Sequence, residues 1–226
     1  MKGKLLLVLL LAMTLASGLI ACGNSEPSRP ALTASASVDA SSGGSDDQAA
    51  IDLQYGFSQQ DSNIVVGIIA TNTSVTSGFK DVAMILTVKD ENGNVIASDP
   101  EFKIGTMYPG EEFGFGVSLY YAGTATPSTV IVQEKHGKQL NNVESPKLSA
   151  LSASIGEYGS VMGEYANNGN PIDDVMIGVV GFDESGNIIN GGFEDYANVS
   201  SGTYPYQVYM FGADVASVKA YAHKYI

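Results

Sequence analysis

The sequence predicts an all-β protein made of two tandem β-sandwiches behind an export signal and a disordered tether. Three observations carry this. From Ile51 onward the chain consists of short β-branched and aromatic runs broken by Gly, Asn, Asp and Pro. No stretch keeps the 3.6-residue apolar period of a surface helix. An alternating phrase near residue 81 returns ninety-three positions later.

Composition limits what such a protein can do. With 24 acidic residues against 11 basic, the 226-residue chain has a formal charge of −13. That excludes nucleic acid as a partner, because phosphate binding needs clustered Lys and Arg. Only 15% of residues are charged and 44% are apolar, so a core can be buried and the chain as a whole is not disordered. A single cysteine rules out an internal disulfide.

The N-terminus reads as an address. Lys2 and Lys4 precede an apolar or small-residue run from Leu5 to Ile20, the profile of a secretory signal. The segment Leu19-Ile20-Ala21-Cys22 resembles the lipobox of bacterial lipoproteins. The resemblance implies cleavage after residue 21 and a diacylglyceryl group on the Cys22 thiol. Two acyl chains suffice for stable anchoring, whereas one binds only marginally. The expected location is the extracytoplasmic face of a bacterial cell membrane. Without residues 1–21 the chain has 9 basic and 24 acidic residues, a net −15, so the lipid rather than a polybasic patch must hold it there.

Residues 22–50 form the tether. Positions 23–50 contain seven Ser, six Ala, three Gly and two Pro and no aromatic residue, too little apolar surface to offset the entropy of ordering. A coil of this length spans roughly 30 Å.

The remainder is duplicated. Asp81, Val82, Met84, Leu86, Val88 and Asp90 lead into the turn Glu91-Asn92-Gly93-Asn94. Asp174, Val175, Ile177, Val179, Gly181 and Asp183 lead likewise into Glu184-Ser185-Gly186-Asn187. Upstream, Gly67, Ala70 and Asn72 align with Gly163, Ala166 and Asn168. Downstream, Phe113, Phe115, Val117 and Leu119 align with Tyr204, Tyr206, Val208 and Met210. A period above ninety residues is a tandem domain rather than a solenoid repeat. The expected boundaries are 51–136 and 148–226, joined by a polar linker at 137–147. Each copy offers six or seven short strands, the number that an immunoglobulin-like sandwich uses.

This order of a glycine-containing strand, an asparagine turn, an alternating strand ending in Asp-x-x-Gly and an aromatic strand resembles the FxLYD domain. Where that family has Phe-x-Leu-Tyr-Asp, the present chain has Leu86-Thr87-Val88-Lys89-Asp90 and Val179-Val180-Gly181-Phe182-Asp183, sharing the aspartate. The resemblance implies small immunoglobulin-like modules of bacterial surface lipoproteins.

Candidate chemistry is sparse. No nucleophile elbow, zinc-protease helix motif, Cys-x-x-Cys, P-loop or dinucleotide fingerprint occurs. His136 and His223 end the last strand of their copies and are expected to be exposed. Two histidines in different copies are too few for zinc, so no metal or cofactor is expected. Asp90 to Asn94 and Asp183 to Asn187 gather oxygens as a calcium loop does. The glycine falls at the wrong position and no closing glutamate follows, so a hairpin turn explains them better. The doublets Asp173-Asp174 and Glu111-Glu112 put neighbours on opposite strand faces and form no dyad.

The function expected is therefore non-enzymatic: a lipid-anchored module presenting a surface to an unknown protein or to a glycan or other envelope polymer. The alternatives are an accessory spacer subunit of a membrane complex, or an enzyme with an unrecognised site. Eight of the twelve tyrosines lie in the second copy. Tyr209 is out of phase with core positions Tyr204 and Tyr206, and Tyr196 is expected in a Gly- and Asn-rich loop. Those two are the candidate contact residues.

Overall fold

Residues 51–210 and 215–225 are described by the structure, a computed structural model, and most of them lie in strands. The signal segment, Cys22 and the tether lie outside the described residues. The first repeat comprises β1 (Ile51–Gln60), β2 (Asn63–Asn72), β3 (Ser77–Asp90), β4 (Val95–Met107), β5 (Glu112–Tyr120), β6 (Pro127–Lys135) and β7 (Gln139–Asn141). The second comprises β8 (Leu148–Ala150), β9 (Ser154–Ile155), β10 (Ser160–Asn167), β11 (Ile172–Phe182), β12 (Ile188–Val199), β13 (Gly202–Tyr209) and β14 (Ser217–Lys224).

The two repeats share one topology. Sheet β1-β2-β5 corresponds to β8/β9-β10-β13, and β4-β3-β6 corresponds to β12-β11-β14, with every pairing antiparallel. The described residues are thus all-β, of immunoglobulin-like sandwich character. Strand β7 lies inside the expected linker and extends the β3 edge, pairing Gln139–Asn141 with Ser77–Phe79.

Alternation builds each core. Val82, Met84, Leu86 and Val88 of β3 meet Ile64, Val66 and Ile68 of β2 and Phe113, Phe115 and Val117 of β5, all buried. In the second repeat Val175, Ile177 and Val179 meet Val161, Tyr165, Tyr206 and Val208. Burying each such side chain contributes about 1.5–3 kcal/mol, and the intervening residues point the other way.

Those intervening residues decide how the repeats meet. On the second face of β1-β2-β5, Gly56, Gly67 and Gly116 are register partners and form one row across three strands. A Cβ on Gly56 would overlap the Ile188 carbonyl, one on Gly67 the Asn190 carbonyl, and one on Gly116 the Gly191 backbone. Strand β12 therefore runs along the row. Three residues of strand and two strand spacings each span about 10 Å, so β12 crosses β1-β2-β5 near a right angle. Met176, Val180, Ile188 and Tyr221 of the second repeat join the first repeat's core cluster. Sheets β1-β2-β5 and β12-β11-β14 thus face each other, and β4 also reaches the second repeat, where Phe102 meets Phe193 edge-on.

Register corrects one alignment. Ile68 pairs with Phe115 in the first repeat, and Gly163 pairs with Tyr206 in the second, so Gly163 is the counterpart of Ile68 rather than of Gly67. The same shift makes Asn167, not Asn168, the counterpart of Asn72. A one-residue slip reverses every side chain, so Gly67 faces the other repeat while Gly163 faces its own core. At Gly163 the missing side chain admits the Ser152 backbone, to whose carbonyl the Tyr206 hydroxyl donates at 2.6 Å.

Candidate functional site

The two hairpin turns are built identically. Asp90 Oδ1 accepts from the N–H groups of Asn92 and Asn94 at 2.9 and 2.8 Å, and Oδ2 accepts from the Asn94 amide at 3.0 Å. Asp183 does the same with Ser185 and Asn187 at 2.9, 2.8 and 3.0 Å. Gly93 and Gly186 both sit at φ 82°, which glycine adopts without strain. The side-chain bond from the turn asparagine is the largest influence holding each aspartate below the usual carboxylate range. These carboxylates hold their own turns. Among the described residues no three His, Cys, Asp or Glu side chains converge to hold a metal ion.

The expected exposure of His223 is corrected. It is fully buried, stacked on Phe113 with ring centroids 4.5 Å apart, because β14 packs where the two repeats meet. His136 lies just past β6, outside the core, with Nδ1 2.8 Å from Glu134 and its ring 4.4 Å from Phe79.

The tyrosines separate. Tyr209 stands 55% exposed on the outward face of β13, as its phase predicts. Tyr196 is not in a loop. It lies within β12, packs against the second core with its ring 5.4 Å from Tyr165, and accepts the Gln207 N–H on its hydroxyl at 3.2 Å. Pairing with Val175 puts it on the core face, since β12 runs through the Gly- and Asn-rich stretch that the sequence suggested was a loop. Burial pushes the nearby Tyr206 hydroxyl up to about 12. Met162 is exposed near Tyr209, two residues along β10 from Ser160, its register partner. Tyr158, 93% exposed, tips the 3-10 turn Glu157–Gly159 at the same end of the sheet.

A feature not foreseen is a cleft of about 710 Å³ along β3, β4 and the end of β14. Lys80, Lys103, Lys135 and Lys224 border it, with Glu101 bridging Lys135 at 3.1 Å and Lys103 at 3.6 Å. Sequence carries little signal for it, because the four lysines come from four strands spread over 145 positions.

No protein-family model matches the chain, and no curated protein matches it. Among the described residues no helix is long and apolar enough to cross a membrane.

Proposed function

We propose that the protein is a lipid-anchored, non-enzymatic binding module of a bacterial surface, held at the extracytoplasmic face through Cys22. In this reading it captures a protein or an envelope polymer on the outer sheet of its second repeat. The observation that carries this is the exposure of Met162 and Tyr209 on the outward side of that sheet and of Tyr158 on the turn at its end. Aromatic side chains with a polar tip suit both protein contacts and sugar stacking, and clustered exposed apolar groups mark interaction sites. The FxLYD-like order of strands and the lipobox-like segment support the same assignment.

The test is affinity capture from membrane extract with the full-length chain, compared with Tyr209→Ala/Met162→Ser. Loss of a specific captured partner, with folding intact, supports the reading. A membrane complex retained in full by the variant favours the spacer role instead. Separately, Cys22→Ser should release the protein from membranes or leave it unprocessed. Normal maturation and membrane partitioning would refute the anchor.

A further inference from the structure

We propose that the cleft bordered by Lys80, Lys103, Lys135 and Lys224 binds a small, multiply charged anion at a site separate from the Tyr209 face. The charge distribution is the first ground. The described residues contain eight lysines and no arginine in a chain of net charge −13, and half of those lysines line this one cleft. Its lining acids are Asp81 and Glu101, so the lysines outnumber them two to one. Glu101, held below the usual carboxylate range chiefly by the Lys135 hydrogen bond, fixes Lys103 and Lys135 side by side. Each ammonium has three donors, so one shared carboxylate does not saturate the pair.

Backbone irregularity is the second ground. The β3–β4 register jumps from Phe79↔Met107 to Val82↔Gly105, leaving Lys80 and Asp81 opposite Thr106 alone. Asp81 sits at φ 55°, in the left-handed region that a non-glycine residue rarely occupies. Bulges and strained residues of this kind gather beside binding sites, where they re-aim a side chain. The second repeat closes the cleft: Gly105 lets the Tyr225 backbone approach where a Cβ would overlap it, and this brings Lys224 to the rim.

Size and field select the ligand. The cleft volume lies within the range of small-molecule sites. Outside it the protein is acidic, so a long polyanion overhanging the lysines meets repulsion within a Debye length of about 10 Å. A short ligand with two or more anionic groups, of phosphate or carboxylate type, keeps its charge inside the favourable region. Lysines act as point charges and do not offer the planar fork of arginine, so the site reads charge density rather than one oxyanion geometry.

Calorimetric titration of the full-length protein at low ionic strength tests this with pyrophosphate, citrate and long-chain polyphosphate. The expected result is saturable binding of one pyrophosphate or one citrate per chain, and the better probe identifies the anion type. Affinity should fall about tenfold or more in Lys103→Gln/Lys135→Gln and in Lys80→Gln, and should not change in Lys89→Gln. Lys80→Gln touches neither ion pair of Glu101 and carries the test if the double variant loses its fold. The proposal is overturned if neither small anion saturates, if Lys89→Gln weakens binding as much as Lys80→Gln, or if polyphosphate alone binds.

Discussion

Nδ1 of the buried His223 lies 2.8 Å from a carboxylate oxygen of Glu111, while Nε2 lies 2.6 Å from the Ile104 carbonyl oxygen. The carbonyl only accepts, so Nε2 donates to Ile104, and Nδ1 donates to Glu111 in the imidazolium form, which the pair favours. Burial pulls the histidine pKa down. The Glu111 charge and hydrogen bond, together with the Ile104 carbonyl, outweigh it, and the net shift is upward. This buried contact joins the last strand of the second repeat to the β4–β5 region of the first.

The sign of the pH dependence follows from this pair. A histidine whose pKa rises on folding contributes its stability in full below the unfolded value of about 6.5 and loses it as pH climbs through the higher folded value. The urea midpoint should therefore fall as pH is raised from about 6 to about 9, and His223→Gln should remove most of that slope. Equal slopes in the two proteins would show that the ring is not charged in the fold. His223→Gln should also cost roughly 3 kcal/mol at pH 6, because it disrupts a buried pair.

The glycine row makes a steric prediction. Gly116→Ala places a methyl group into the backbone of Gly191, which cannot move aside as a flexible side chain could. Such overpacking should cost roughly 3 kcal/mol, read from denaturant unfolding. A loss under about 1 kcal/mol would mean that the two facing sheets are not in contact at this row.

Asn72 and Asn168 separate the two possible alignments of the repeats. The buried Asn72 amide donates to the Ser77 and Tyr108 carbonyls, each at 2.8 Å, so Asn72→Ala strands two acceptors and should cost roughly 2–3 kcal/mol. Asn167 makes the matching contacts, donating to Asn170 and Val199. Asn168 is exposed, and Asn168→Ala should stay within about 0.5 kcal/mol of the parent. A large loss at Asn168 would restore the alignment read from the sequence.

The aspartate turns predict indifference to calcium. Asp90 and Asp183 spend their oxygens on N–H groups of their own turns. Saturating calcium should leave the thermal midpoint where it was, while Asp183→Ala should lower it. Both aspartates titrate below their ordinary value, so the stability that they contribute is present above about pH 4 and declines as pH falls through the folded value. A calcium-dependent rise in the midpoint that Asp183→Ala abolishes would return the turns to the metal-binding reading.

The all-β class and the turns were legible because each rests on local information. Alternation at period two assigns Val82, Met84, Leu86 and Val88 to one face, and the Asp-x-x-Gly spacing fixes a hairpin whatever surrounds it. The outward face of Tyr209 was legible for the same reason. The β2–β10 alignment failed because Gly67 and Gly163 match by residue type, and register is set by pairing partners rather than by identity.

Only the tertiary structure decided the burial of His223, the meeting of the two repeats and the gathering of the lysines. Nothing within a few residues of His223 announces Glu111, 112 positions away. Gly56, Gly67 and Gly116 read singly as weak points of strands, and they become a groove only when three strands align them and a fourth crosses. Lys80, Lys103, Lys135 and Lys224 are ordinary charges in sequence. Electrostatic and steric interactions depend on distance through space, and strand pairing sets that distance independently of separation along the chain.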